Sequence, residues 1–211
     1  LAKNINELFP IQLAKIAKKM NAALIHYSTD YVFDGQSQND CFEQTVAKPL
    51  QVYGTTKLAG DLGILKEKCK GFILRISWIY GHSNHSFLSK IQKQVEQQKD
   101  LRVVRDQYGT PTSANFVAEM TKKIIELKAF KSISILNLSP DGLCSWYDFA
   151  KEYISLTKSK HTTNPILSSS IRQAVQRPKS VKLNSSRFEK LLEIKMPNWK
   201  EVLKNFLKHE R

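Results

Sequence analysis

The chain has 211 residues, a length that suits one or two globular domains with a sizeable core. Hydrophobic residues make up 41% and charged residues 25%, as in ordinary globular proteins, and no apolar run is long enough to cross a bilayer. The net charge of +14 favours anionic partners, although a solvated, lysine-rich surface is its simplest explanation. No nucleic-acid-binding motif is evident, so we predict neither a nucleic-acid nor a membrane partner. The three cysteines form no Cys-x-x-Cys pair, which predicts reduced thiols, no metal site and a cytoplasmic protein.

Hydrophobic periodicity and capping residues predict an alternation of helices and strands. In chain order, we expect a helix over 8–19, a strand over 22–27, a helix over 50–69, a strand over 72–78, a helix over 86–98, a strand over 101–104, a helix over 115–127, a strand over 133–138, a helix over 146–156 capped by Ser145, a polar loop over 158–170, a helix capped by Ser185 or Ser186 that ends near 193, and a helix over 199–208 capped by Asn198.

This alternation predicts an α/β fold, with a parallel sheet and helices on both of its faces. The second half is more mixed and fits a smaller α/β domain. We place the division at residue 104, with 1–104 in the first domain and 105–211 mainly in the second, from which some segments return to the first.

Two segments of the first domain carry chemically useful side chains. The strand over 22–27 delivers Ser28, Thr29 and Asp30 at its carboxyl end, where open α/β sheets bind ligands. Tyr53 and Lys57 stand four residues apart on the next helix, so they share one face. A cation near a phenol favours the phenolate, and such a pair can exchange a proton with a carbonyl or an alcohol near neutral pH.

Several motifs in their observed order resemble the extended short-chain dehydrogenase/reductases, and most of all the dTDP-4-dehydrorhamnose reductase family. The resemblance covers nearly the whole chain. It is carried by the Tyr53/Lys57 segment and by Ser28-Thr-Asp-Tyr-Val-Phe-Asp-Gly35, Leu74-Arg-Ile-Ser-Trp-Ile-Tyr-Gly81, Val103-Val-Arg-Asp-Gln-Tyr-Gly-Thr-Pro-Thr112, Ser145-Trp-Tyr-Asp-Phe-Ala150, Arg177-Pro178 and Pro197-Asn-Trp199.

The resemblance implies a Rossmann-like, doubly wound sheet and reduction of the C4 keto group of dTDP-4-dehydro-L-rhamnose to dTDP-L-rhamnose. The implied cofactor is NADPH or NADH, and the implied partner is a dTDP-sugar. Tyr53 would donate the proton, Lys57 would hold the cofactor ribose and lower the pKa of Tyr53, and Thr29 would bond the substrate oxygen. Ser28 and Asn6 are further implied cofactor contacts, although Asn6 has a helix cap as its alternative role.

Four more residues are implied substrate contacts: Asp30, Trp78, Gln107 and Arg177. Each has a plainer alternative. Asp30 could instead stabilise a turn, and Trp78 could be a buried aromatic residue. The segment around Gln107 could only shape a turn, and Arg177 could be a solvated surface residue. Thr29 has the alternative of bonding the backbone at the end of its strand.

The family normally begins with a strand, a Gly-rich turn and a helix that holds the cofactor pyrophosphate. The glycines of this chain form no such turn. We therefore expect a fragment of a longer parent that carries the activity, and expect the fragment alone to be inactive. The sequence leaves open whether the cofactor is NADH or NADPH, whether magnesium is bound, and whether the protein forms a homodimer.

Two other functions compete with this one. Another nucleotide-sugar reductase or epimerase would use the same fold. A non-catalytic relative that binds a nucleotide sugar or a protein partner, such as the regulatory subunit of methionine adenosyltransferase, would also share it.

Overall fold

The computed structural model describes residues 1–37, 39–83, 86–128, 130–172 and 175–208. A π-helical turn over Asn4–Leu8 leads directly into the first helix. The helices are α1 (Phe9–Lys19), α2 (Val52–Glu67), α3 (Phe87–Glu96), α4 (Ala114–Leu127), α5 (Trp146–Thr157), α6 (Ser186–Leu192) and α7 (Trp199–Lys208). The strands are β1 (Ala23–Thr29), β2 (Lys70–Ile76), β3 (Ile79–Tyr80), β4 (Leu101–Val104), β5 (Tyr108–Gly109), β6 (Thr112–Ser113), β7 (Ser134–Asn137), β8 (Cys144–Ser145) and β9 (Thr163–Ile166).

The largest sheet is parallel and has the strand order β1-β2-β7. Thr29 at the end of β1 is in register with Ile76 at the end of β2, so the two strands finish at the same edge. Leu74 in the middle of β2 pairs with Leu136 of β7. This arrangement confirms the predicted α/β fold and its parallel sheet.

Helices cover both faces of this sheet because the side chains of β2 alternate between them. Ile73 points to the face where Ala14 of α1 and Ile64 of α2 pack. Phe72 and Leu74 point to the opposite face, where they pack with α4 and α6. The predicted two-sided arrangement is confirmed.

A second group of elements is built around aromatic side chains. Helices α3, α5 and α7 enclose a cluster that contains Tyr80, Phe149, Trp199 and Phe206. Meanwhile α4 and β7 return to the parallel sheet, so the chain alternates between the two groups. The domain division at residue 104 stays a prediction.

The predicted polar loop over 158–170 is wrong in part, because Thr163–Ile166 forms β9 and pairs in parallel with β4. The helix starts agree better with the sequence. Ser145 caps α5 through a reciprocal pair of bonds with Asp148, and Asn198 Oδ1 accepts a bond from the backbone N–H of Lys200 at 3.0 Å. Ser185 precedes α6, but its hydroxyl bonds the backbone of Ser139 and does not cap the helix.

Within the described ranges, none of the helices combines the length and apolar character that crossing a membrane requires. Across the same residues, His, Cys, Asp and Glu side chains form no group of three or more that could hold a metal ion.

Candidate active site

The carboxyl end of β1 places a hydroxyl and a carboxylate side by side in a buried position. Thr29 is 6% exposed and Asp30 is 3% exposed. Thr29 Oγ1 accepts a bond from the backbone N–H of Tyr31 at 3.2 Å and donates to Asp30 Oδ1 at 3.2 Å. The expected alternative for Thr29, a bond to the backbone at the strand end, is therefore present. It exists together with a side-chain contact to Tyr53.

Ionisation of the buried Asp30 carboxyl group costs free energy. Burial raises its pKa to about 6, against the opposing effect of hydrogen bonds from Ser77 and Thr29. The Ser77 hydroxyl donates to Asp30 Oδ2 at 3.0 Å. A group that keeps a buried charge near neutral pH is typical of functional sites.

Tyr53 lies in the first turn of α2, close to the end of β1. Gln51 caps this helix by accepting a bond from the backbone N–H of Gly54 at 3.2 Å. A Cβ on Gly54 would lie 2.2 Å from the carbonyl oxygen of Tyr31, so glycine lets the helix approach this closely. The Tyr53 ring, 45% exposed, sits edge-on to the ring of Tyr31 with centroids 6.0 Å apart. The phenol is thus anchored at the rim of the site.

Lys57 follows one helical turn later and points beneath β1. Its Nζ donates to the carbonyl oxygen of Tyr27 at 2.5 Å and lies 3.2 Å from His26 Nε2. Burial lowers the pKa of Lys57, and the charge of Asp61 opposes this effect.

The predicted lowering of the pKa of Tyr53 by Lys57 is wrong. The pKa of Tyr53 is raised, first by burial and further by the carboxylates of Asp30 and Asp61, while the hydrogen bond with Thr29 opposes the rise. The ammonium of Lys57 is engaged with β1 and does not stabilise a phenolate. Tyr53 is therefore protonated near neutral pH, as a proton donor must be.

Asn6 and Ser28, the further expected cofactor contacts, both bond to α2. Asn6 Nδ2 donates to Thr56 Oγ1 at 3.1 Å. Asn6 lies inside the π-helical turn, whose N-cap is Lys3, so its alternative role as a helix cap is wrong. The Ser28 hydroxyl donates to Asp61 Oδ2 at 2.7 Å. Contacts of Asn6 and Ser28 with a cofactor stay predictions.

All four further substrate contacts expected from the sequence line one cleft, although they are spread over nearly 150 residues of chain. The cleft is narrow and is lined by Asp30, Tyr31, Trp78, Gln107, Tyr108, Trp146, Arg177, Pro178 and Val181. Gln107 is buried and Arg177 is exposed. The tertiary structure therefore brings together the residues that the sequence could only name separately.

A pair of stacked indoles forms one wall of this cleft. The rings of Trp78 and Trp146 are parallel within 1°, with centroids 3.4 Å apart. Trp78 has a φ of +42°, in the left-handed region that few residues with a large side chain adopt. A Cβ on Gly109 would lie 2.3 Å from the Trp78 ring, so glycine makes room for the stack. Trp78 lies half-buried at the cleft, which argues against the purely buried role considered for it.

Next to this cleft is a larger cavity of about 370 Å³ that shares Gln107, Trp146 and Arg177 with it. Its other lining residues are Phe87, Arg102, Val103, Val104, Ile166, Ile171, Arg172 and Val175. Aromatic and aliphatic walls suit a flat ring, and guanidinium groups suit phosphate oxygens. No binding role for Trp146, Arg102 or Arg172 was predicted from the sequence. The aromatic residue directly after the Ser145 cap was the one available signal.

The parallel sheet, with Thr29 at its edge and Tyr53 and Lys57 on the following helix, defines the class of protein. It has the Rossmann-like α/β fold of the extended short-chain dehydrogenase/reductases. Its similarity to known proteins narrows this class to one family.

The family model for the RmlD substrate binding domain matches residues 1–211. The dTDP-4-dehydrorhamnose reductase of Escherichia coli (strain K12) is 31% identical over 216 residues, which cover 98% of this chain and 72% of the relative. The spore coat polysaccharide biosynthesis protein SpsK of Bacillus subtilis (strain 168) is 29% identical over 203 residues, which cover 96% of this chain and 70% of the relative. The chain belongs to the RmlD substrate binding domain family, which is the family of the dTDP-4-dehydrorhamnose reductases.

Solved structures agree with this membership. The dTDP-4-dehydrorhamnose reductase of Clostridium acetobutylicum superimposes with a TM-score of 0.89 at 32% identity, covering 97% of this chain and 72% of that one. The Bacillus anthracis enzyme in complex with NADP superimposes with a TM-score of 0.90 at 29% identity and the same coverage.

Proposed function

We propose that this chain carries the catalytic and sugar-binding side chains of a nicotinamide-dependent reductase of dTDP-4-dehydro-L-rhamnose, with dTDP-L-rhamnose as the product. The observation that carries the proposal is the cleft itself. It joins Asp30, Trp78, Gln107 and Arg177 next to a protonated Tyr53 that lies close to Thr29.

The chemistry requires a hydride for C4 of the sugar and a proton for its oxygen. The nicotinamide cofactor supplies the hydride when it is bound. Tyr53 donates the proton to the oxygen as charge develops on it, and its raised pKa keeps that proton available at neutral pH. Thr29 lies beside the phenol, and its hydroxyl would turn from Asp30 to the same substrate oxygen when the substrate binds. Because these side chains are fixed by α2 and β1, they need no rearrangement during the reaction.

The side chains near Lys57 fit a nicotinamide cofactor. An ammonium group has three N–H donors, and two of them are directed at Tyr27 and His26. The third has no acceptor among the described residues and remains for a ribose hydroxyl. We name NADPH as the first candidate because the Bacillus anthracis relative was solved with NADP.

The larger cavity suits the nucleotide half of the substrate. Trp146 and Phe87 offer aromatic faces for the base. Arg102, Arg172 and Arg177 offer guanidinium groups for the diphosphate. A binding site with this charge also agrees with the excess of basic residues in the chain.

We assign the activity to a longer parent that completes the cofactor domain. Among the described residues, β1 pairs only with β2, and its other edge is unpaired. The neighbouring α1 exposes Phe9 by 60% and Ile16 by 52%. Open strand edges and exposed apolar faces call for covering structure. A cytoplasmic location and a homodimer remain predictions for this parent.

The decisive experiment measures turnover of dTDP-4-dehydro-L-rhamnose by the parent enzyme and its Tyr53→Phe variant. Loss of the proton donor should lower kcat by roughly 100- to 10,000-fold, with a much smaller change in KM. Tyr27→Phe is the matched control, because its hydroxyl contacts Thr121 on the other side of β1, and it should leave turnover unchanged.

Two outcomes would contradict the proposal. Full turnover by Tyr53→Phe would remove the phenol from the mechanism. Tight binding of the dTDP-sugar without any turnover by the parent would favour the non-catalytic relative instead.

A further inference from the structure

Four ionisable side chains pack together between β1, β2 and α2. His26 comes from β1, Lys57 and Asp61 from α2, and Arg75 from β2. Asp61 is 0% exposed, Arg75 is 3% exposed and Lys57 is 8% exposed. Charged groups are rarely buried unless each has a partner, so the contacts among these four need an explanation.

The contact between Lys57 and His26 fixes the state of the imidazole. Lys57 Nζ lies 3.2 Å from His26 Nε2, and an ammonium group can only donate. Nε2 must therefore accept, so the ring is neutral and carries its proton on Nδ1. In agreement, burial and then the charge of Lys57 lower the pKa of His26 to about 4.

Asp61 supplies the negative charge of the group. One of its oxygens accepts from Ser28 at 2.7 Å and lies 3.6 Å from Arg75 Nε. The other oxygen lies 3.8 Å from His26 Nε2 and has no hydrogen-bond partner among the described residues. The carboxylate thus offsets the charges of Arg75 and Lys57, while the hydrogen bonds that Lys57 donates are accepted by neutral groups.

We propose that His26 is a positioning residue for Lys57, whose ammonium it holds through Nε2 so that one N–H stays directed to the cofactor. The inference deepens the proposed function and rests on it for the role of Lys57 in cofactor binding. A neutral acceptor suits this task. It fixes the direction of the ammonium without forming a tight buried ion pair that would compete with the cofactor.

The test compares His26→Gln, whose amide oxygen can still accept a hydrogen bond, with His26→Leu, which cannot. The pKa of Lys57 is followed in the protein labelled with ¹³C-lysine, from the pH dependence of its Cε signal. A Lys57→Arg variant assigns that signal. Losing the acceptor removes a bond to the charged form, so His26→Leu should lower the pKa of Lys57 by about one unit, or tenfold in the proton equilibrium. In His26→Gln the pKa of Lys57 should stay close to its wild-type value, and in Tyr27→Phe it should not change.

The same variants in the parent enzyme give a second readout. His26→Leu should raise KM for the nicotinamide cofactor by roughly tenfold, and His26→Gln should raise it much less. An unchanged Lys57 titration in His26→Leu, or a His26→Gln variant as affected as His26→Leu, would overturn the proposal.

A reciprocal measurement covers the case in which His26→Leu does not fold. In Lys57→Met the charge that lowers the pKa of His26 is gone, so the imidazole should titrate at higher pH than in the wild type. An unchanged His26 titration would overturn the pairing. Because both titrations are independent of turnover, an expected titration with no reductase activity would refute the proposed function while the pairing stands.

Discussion

The carboxyl end of β1 and the aromatic cluster under α5 and α7 are equally buried but are built from opposite kinds of residue. The first holds Thr29, Asp30 and Lys57, each less than a tenth exposed. The second holds Phe149 at 1% and Phe206 at 2% exposed. Burying apolar rings stabilises the fold, whereas burying charges costs free energy unless partners compensate.

The incomplete pairing of polar groups shows the difference directly. Among the described residues, four buried side-chain atoms around the first region have no hydrogen-bond partner, Asp61 Oδ1, Glu43 Oε2, Arg75 Nε and Asn137 Oδ1, whereas the aromatic cluster has one such atom, the hydroxyl oxygen of Tyr80. The aromatic cluster instead contributes ring contacts, such as Tyr80 against Phe149 and Phe206 with centroids 5.2 Å apart. We conclude that packing in the aromatic cluster stabilises the fold and offsets the free-energy cost of burying polar groups at the candidate site.

The largest expected effect on stability lies in the aromatic cluster. Phe149→Ala should lower the free energy of unfolding by about 3–5 kcal/mol, because it removes a fully buried ring and leaves a cavity. Denaturant unfolding measures this change. Phe42→Ala, at a ring that is 38% exposed, is the control and should cost much less. Equal losses in the two variants would break the comparison between buried and exposed rings.

Removing a buried charge from the polar region should instead raise the free energy of unfolding. The pKa of Asp30 is raised from 3.8 to about 6, so its contribution to stability is complete below about pH 3.8 and is lost as pH rises through 6. Asp30→Asn cannot ionise, so it should be more stable than the wild type at pH 7 by up to about 3 kcal/mol. The two proteins should converge near pH 4.

Urea unfolding between pH 4 and 7 checks this prediction and also measures the contribution of His26 to stability. The pKa of His26 is lowered from 6.5 to about 4, so its contribution is present above pH 6.5 and is lost as pH falls through 4. In the wild type, the slopes due to Asp30 and His26 oppose each other over this range. In Asp30→Asn the slope of His26 remains, so stability should rise more steeply with pH. Parallel curves for variant and wild type would refute the assigned cost of Asp30.

The smallest effect concerns the start of α5, at the border of the aromatic cluster. The Ser145 hydroxyl accepts from the backbone N–H of Asp148 at 3.1 Å and donates to its carboxylate at 2.6 Å. Ser145→Ala should lower the free energy of unfolding by about 1 kcal/mol. Ser155→Ala, at an exposed position of the same helix, should change it by only a few tenths. A Ser145→Ala variant as stable as Ser155→Ala would show that the cap contributes nothing.

Local patterns were sufficient for most elements. The strand at Leu101–Val104 was predicted with its observed bounds, and the start of α5 followed from the Ser145 cap. Thr163–Ile166 escaped prediction because it contains Pro165, lies in a polar stretch and gains its backbone partner only from β4. A short strand with so weak a pattern depends on tertiary pairing.

The candidate site, too, was predicted only in part from the sequence. The spacing of Tyr53 and Lys57, and the position of Thr29 after an apolar run, were sufficient to predict a phenol and a hydroxyl at the edge of a parallel sheet. The roles of Asp30, Trp78, Gln107 and Arg177 came from family resemblance, and their convergence on one cleft became visible only in three dimensions. Trp146 was missed because its stacking partner lies 68 residues away along the chain.

The sequence by itself determined most of the helices and longer strands, that the sheet is parallel, and which family the motifs resemble, because these depend on periodicity, capping and residue order. Only the tertiary structure decided the electrostatics. Whether Lys57 lowers the pKa of Tyr53 depends on where its ammonium points, and the fold directs it to Tyr27 and His26. Burial and the nearby carboxylates then raise the pKa of the phenol, since a charge responds to everything within reach and not to its sequence neighbours alone.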